Sequence, residues 1–137
     1  MELQIDKKVF SQKFYPLLFD YSHRTECWIG SAGSGKSYFT AQRLLLRALS
    51  ERITILVTRR YGTTLRNSVF SLFKEIVEKW KLSSFVTFNE SDLRIKLANK
   101  SQILFLGLDS EEKLLSLNDI STVWIEEASE ITRDLYE

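Results

Sequence analysis

Residues 30 to 37 read Gly-Ser-Ala-Gly-Ser-Gly-Lys-Ser, and no other stretch of the chain limits its fold as strongly. The run fits G-x-x-x-x-G-K-[ST], a loop that wraps phosphate groups. With average residue usage, a chance match starts at about one position in 30,000, so coincidence explains it poorly. Each residue type has a physical task. The dense negative charge of a triphosphate is met by backbone N–H groups turned inward, and that curl calls for φ values that a Cβ resists. Three of the five glycines, Gly30, Gly33 and Gly35, stand here, with Ser31, Ala32 and Ser34 between them. A helix starting near Lys36 would aim its free N–H groups and positive dipole end at the same point. Lys36 supplies a mobile point charge for the β- and γ-phosphates. The Ser37 hydroxyl is placed to ligate Mg²⁺. The bland alternative is a glycine-rich turn before a helix, with Lys36 solvated.

The flanking pattern agrees with that loop. Thr25 to Ile29 is predicted as a short strand with the single cysteine, Cys27, buried inside it as a free thiol. One cysteine allows no disulfide framework and suits a reducing cytoplasm. The net charge of +1 gives no global field toward nucleic acid or membrane. No apolar run approaches membrane-spanning length, and the first residues lack the apolar stretch of a signal peptide. Residues 1 to 22 read as irregular, with Phe10, Phe14, Tyr15, Leu17, Leu18, Phe19 and Tyr21 packing onto the downstream domain. Base stacking is the competing use of those rings.

From Lys36 the pattern is helical, with Phe39, Leu44, Leu45, Ala48 and Leu49 near one face. Ile53 to Val57 is β-branched and fits a buried parallel strand. Leu65, Val69, Leu72, Phe73, Ile76, Val77 and Trp80 form the clearest amphipathic helix in the sequence. Residues 85 to 106 change period: Leu93, Ile95 and Leu97 alternate with Arg94 and Lys96, Ala98 to Ser101 turns, and Ile103 to Leu106 returns, an antiparallel hairpin. Residues 110 to 117 are predicted as a short helix capped by Ser110. Ser121 to Ile125 reads as another buried strand. Alternating strands and helices imply an α/β sandwich.

That last strand ends in Glu126 and Glu127. Ligands of α/β sheets gather outside the carboxyl ends of strands. Neighbouring strand residues face opposite ways, so two adjacent acids can take two tasks. Glu126 is the candidate for Mg²⁺, directly or through water, and Glu127 for orienting and deprotonating an attacking water. The competing reading is a solvated strand tip. A catalytic Glu points to motor- and helicase-type ATPases and away from kinases and small GTPases.

Four runs, Gly-Ser-Ala-Gly-Ser-Gly-Lys-Ser-Tyr-Phe, Leu-Val-Thr-Arg-Arg-Tyr-Gly-Thr-Thr-Leu-Arg-Asn-Ser-Val-Phe, Leu-Phe-Leu-Gly-Leu-Asp and Val-Trp-Ile-Glu-Glu-Ala-Ser-Glu, occur in that order. Together they resemble the large terminase subunit of tailed bacteriophages and prophages, over nearly the whole chain. The resemblance implies the N-terminal ATPase of a DNA-packaging motor, followed in the family by a nuclease domain. The implied fold is α/β, a P-loop NTPase of the motor, RecA-like type: a parallel-sheet sandwich with an added β-hairpin, incomplete at the C-terminus. Residues 1–24 are then an extension packing on the core, and 25–137 a partial ATPase domain. The implied cofactors are ATP and Mg²⁺. Gly30 to Ser37 bind the phosphates, Lys36 and Glu127 serve catalysis, and Ser37 and Glu126 serve the metal. Implied partners are double-stranded DNA, the portal protein, the small terminase subunit and further copies in a ring, in the host cytoplasm and away from membranes.

Two departures from the family pattern carry expectations. Ala32 stands where the family commonly has an arginine that stabilises charge on the transferring phosphate, so turnover should suffer more than binding. Arg59, Arg60 or a neighbouring subunit are the candidate substitutes. Arg59 and Arg60 match a basic pair in the family; solvated charge is the alternative for them and for Arg66. Lys113 lies where the family often has a basic residue reaching across subunits. The second departure is the end at Glu137, short of the nuclease domain and of the strand that normally separates the phosphate-loop strand from the acidic strand. Direct pairing of those two, filling by another chain, or an incomplete fold are the outcomes. Two other readings stay open: a nucleotide-binding module without turnover, and another motor-type ATPase. No basic stripe with interleaved aromatics marks a DNA contact; Lys74, Lys79, Lys81, Lys96 and Lys100 are scattered.

Overall fold

The computed structural model describes residues 4–31 and 33–131. Helix α1, Lys36–Ser50, starts where Gly35 takes φ 85, a left-handed conformation that a Cβ would strain. Its buried face carries Phe39, Ala41, Leu44, Leu45 and Ala48. Strand β1, Thr54–Arg59, follows, with its four central residues buried. The predicted amphipathic helix forms in two parts. Arg66–Phe70 is a π-helical turn, in which the Phe70 N–H reaches Leu65 O five residues back at 3.1 Å. Helix α2, Ser71–Lys79, continues it. The wider turn explains why Phe70, off the sequence stripe, is nevertheless buried with Leu65, Val69, Phe73, Ile76 and Val77.

Strands β3, Arg94–Leu97, and β4, Gln102–Gly107, form the hairpin that the change of period predicts, and β2, Val86–Asn89, adds a further antiparallel strand beside β3 that the sequence reading did not single out. Helix α3, Glu111–Leu115, and strand β5, Thr122–Ile125, complete the elements. The sheet runs β2-β3-β4-β1-β5. Strand β1 is parallel to both β4 and β5, whereas β4 is antiparallel to β3. The protein is therefore α/β with a mixed five-stranded sheet, a parallel part β4-β1-β5 joined to the antiparallel strands β2 and β3. Helices α1 and α2 share one core with Ile55, Val57, Ile103, Phe105 and Trp124, which lie on the same face of the sheet. Both long helices thus pack on this one face of the sheet.

Four further expectations need correction. Thr25 to Ile29 forms no strand, and Ile29 is 95% exposed. A strand exists through its ladder, and none of the described strands runs beside this segment. Its side chains hold it to α1 instead: Trp28 clusters with Phe14 and Phe39, each ring stacked on the other two, and Glu26 pairs with Arg43. Cys27 is consequently exposed, not buried. Strand β5 is not a buried strand. Among the described residues it pairs with β1 alone, and Val123 is 52% exposed while Trp124 is buried. Finally, Ser110 precedes α3 without a side-chain capping bond.

The N-terminal segment meets α1 through a second core, Phe10, Leu18 and Phe39. Of its other rings, Tyr15, Phe19 and Tyr21 stay exposed. Among the described residues, no helix is long and apolar enough to cross a membrane.

Candidate functional site

The phosphate-loop sequence sits at the carboxyl ends of β1 and β5. Gly33 and Gly35 take φ 79 and 85, so the curl expected from the glycines is present at both positions. Gly30, Ser31, Gly33 and Gly35 are exposed to solvent. Ala32 lies outside the described residues. The Lys36 ammonium donates to Gly30 O at 3.0 Å and Ser31 O at 3.4 Å, folding back over its own loop. Ser34 Oγ is buried without a hydrogen-bond partner among the described residues. An orphaned hydroxyl inside a phosphate loop is a polar group available to a ligand.

The two sequence motifs meet in space. Ser37 Oγ, in the first turn of α1, donates to Glu126 Oε1 at 2.6 Å. Glu126 comes directly after β5, and its N–H extends the ladder to Thr58 O at 2.9 Å. Parallel pairing of β5 with β1 therefore fixes how far along the sheet the carboxylate stands. Glu127 is exposed and adopts φ 52, ψ 54, left-handed for a residue with a Cβ. A hydroxyl and a carboxylate at this spacing are hard oxygen ligands, the set that suits Mg²⁺, which keeps several waters and needs few protein groups.

The strand-end cations are engaged elsewhere than expected. Arg59 Nε donates to Glu130 Oε1 at 2.8 Å, and Arg60 Nη1 donates to Glu130 O at 2.9 Å. Arg66 and Lys113 lie exposed. Glu130 is a site residue that the sequence does not single out. Its one signal is the Glu-Glu-Ala-Ser-Glu spacing, which returns an acid to the turn three residues after Glu127. Thr58 Oγ1, buried beneath this turn, also has no hydrogen-bond partner among the described residues. A cavity of about 410 Å³ is at the other ends of the strands, lined by Thr54, Gln102 and Ser121 among others, and is no part of this site.

Comparison with known proteins bears on the same residues. The family model described as "Phage terminase large subunit" matches residues 22–137. The chain is 38% identical over 124 residues to the "PBSX phage terminase large subunit" of Bacillus subtilis (strain 168), covering 90% of this chain and 29% of that protein. It is 30% identical over 137 residues to the "Terminase, large subunit" of Bacillus phage SPP1, covering 90% of this chain and 32% of that one. The chain thus spans about a third or less of the length of these relatives.

Proposed function

This chain belongs to the phage terminase large-subunit family, and we propose that it is the nucleotide-binding part of a DNA-packaging ATPase with a P-loop NTPase fold. One observation carries the reading: the Ser37 hydroxyl meets the Glu126 carboxylate at 2.6 Å, one residue from Lys36. Two motifs far apart in sequence form one oxygen-lined point beside the loop.

On this reading the loop N–H groups from Gly30 to Ser37, Ala32 included, and the α1 N-terminus hold the phosphates. The ammonium of Lys36 leaves the carbonyls of Gly30 and Ser31 and turns to the β- and γ-phosphates. Ser37 and Glu126 would hold Mg²⁺, which would supply positive charge against the negative charge that develops on the phosphates. Glu127 orients the attacking water and accepts its proton. The wider role, as in the relatives' names, is that of a terminase: ATP hydrolysis coupled to movement of double-stranded DNA into a capsid. The portal protein, the small terminase subunit and further copies of the chain in a ring are the proposed partners, in the cytoplasm of the host cell.

A second reading, binding without turnover, is favoured by one feature. Arg59 and Arg60, candidates to replace the loop arginine absent at Ala32, are both held by Glu130. Phosphate release, measured with and without DNA, separates the two.

The primary test is ATP affinity of the wild-type chain against Lys36→Ala. Loss of one charged contact should weaken binding by about 10- to 100-fold. Equal affinities would end the nucleotide-binding reading altogether.

A further inference from the structure

Glu130 closes the short turn Ala128–Glu130 that comes after the acidic pair. It is gripped twice from the end of β1, by Arg59 through its carboxylate and by Arg60 through its carbonyl oxygen. The Arg59–Glu130 side chains are 23% and 33% exposed, so the pair is partly shielded from water. An ion pair of this kind adds little to global stability. Its importance here is geometric, because it joins positions 71 residues apart at the tips of two neighbouring strands.

After β5 the chain bends toward the end of β1, and it passes through Glu127 at φ 52 on the way. A left-handed residue with a Cβ persists only where its surroundings hold it. Two anchors do so, one on each side. Before the turn, the Glu126 N–H bonds Thr58 O at 2.9 Å. After it, Glu130 is held by Arg59 and Arg60. Both anchors come from three consecutive residues of one segment, Thr58, Arg59 and Arg60. The first is backbone and results from strand register. The second depends on side chains and can be removed without touching the ladder.

We propose that Arg59 is a positioning residue: its ion pair with Glu130 holds the left-handed turn so that Glu126 stays against Ser37 and Glu127 keeps its place beside it. The proposal rests on the nucleotide-binding reading and adds a device to it. Arg59 acts through Glu130, since its Nε is engaged there. The basic pair at the end of β1 thereby gains a task distinct from contacting phosphate.

The experiment compares the full chain with Arg59→Ala, Arg59→Lys and the charge-swapped double variant Arg59→Glu with Glu130→Arg. Two quantities are read. The first is hydrogen exchange of the Glu130 and Ile131 amides, which donate to Glu127 O at 2.9 Å and Ala128 O at 3.1 Å. The second is the Mg²⁺ concentration at half-maximal ATP binding. Arg59→Ala should lose about fivefold in amide protection and need about fivefold more Mg²⁺. Affinity for ATP without Mg²⁺ should stay as in the wild type, and the swap should recover most of both losses. Unchanged exchange or an unchanged Mg²⁺ midpoint overturns the proposal, as does a swap that recovers neither. Equal loss of ATP affinity with and without Mg²⁺ also overturns it, by showing that Arg59 touches the nucleotide itself. A wild-type chain that binds no ATP refutes the functional reading beneath it; wild-type binding with no effect of Arg59→Ala refutes the positioning role alone.

Discussion

Ser37 and Glu126 stand 89 residues apart in the chain and share a hydrogen bond of 2.6 Å. The bond ties the first turn of α1 to the end of β5, so helix and sheet hold the site jointly. Its acceptor carries charge, which makes it stronger than a neutral pair. Ser37→Ala should therefore lower ATP affinity about tenfold in the presence of Mg²⁺ and leave the metal-free affinity nearly unchanged. Calorimetric titration with and without Mg²⁺ measures this. A loss of the same size in both conditions would show that the hydroxyl serves the phosphates and not the metal.

Glu127 is exposed in a left-handed turn, free of the hydrogen bond that engages Glu126. Glu127→Gln keeps its shape and removes its basicity. Phosphate release should fall by about 10²- to 10⁴-fold, with ATP affinity as in the wild type. Turnover at the wild-type rate would assign the water to another group.

Phe70 packs edge-on against Phe105 at 5.1 Å and Phe88 at 5.8 Å, joining the π-helical turn to two strands. It is 1% exposed. Phe70→Ala should cost about 3–5 kcal/mol in urea denaturation, from lost burial and the cavity left behind. A cost below about 1 kcal/mol would mean that the turn collapses onto the gap.

Gly107, at the end of β4, lies where the chain after β1 crosses close to it. A Cβ here would run into the backbone of Gly62 and into Asp109 Oδ1. That carboxylate accepts the Gly62 N–H at 3.1 Å. Gly107→Ala should destabilise the fold by about 1–3 kcal/mol, since backbone cannot give way as a side chain can. Asp109→Ala, which only removes a hydrogen bond, should cost about 1 kcal/mol. Thermal or denaturant unfolding ranks the two, and the reverse order would contradict the close approach.

Tyr21 lies under two guanidinium groups, Arg43 at 4.8 Å and Arg47 at 5.0 Å from its ring centre. Partial burial raises its phenol above the ordinary value of 10.0, against the pull of those two cations. The folded state therefore holds this proton more tightly than the unfolded state does. Its contribution is complete below the unfolded value and is lost as pH rises through the raised folded value. Tyr21→Phe should flatten the alkaline fall of stability in denaturant melts as pH rises past the ordinary phenol value of 10.0. An unchanged slope would place the alkaline loss on other groups.

Local rules carried much of the fold. The start of α1 was legible because a glycine at positive φ before Lys and Ser is a backbone instruction, independent of what packs nearby. The hairpin of β3 and β4 was legible because alternation survives wherever one face is covered. The helix after Gly62 is less regular than its stripe, since nothing in that stripe announces the π-turn that brings Phe70 inward. In the site, Lys36, Ser37 and Glu126 were each visible as residues, whereas Glu130 was not, because an acid on a short turn looks the same whether it holds two arginines or water.

The amino-acid order by itself determined the curled loop, the helix behind it and the two acids at a strand end. These come from φ preferences, dipoles and side-chain chemistry within a few residues. Only the tertiary structure decided which apolar runs became strands. Thr25 to Ile29 has strand composition yet no ladder, and among the described strands β5 has β1 alone beside it, with Val123 exposed. The cause is that a strand makes no ladder bonds within itself and needs a neighbour for all of them, and the neighbour is a property of the whole fold and not of the segment.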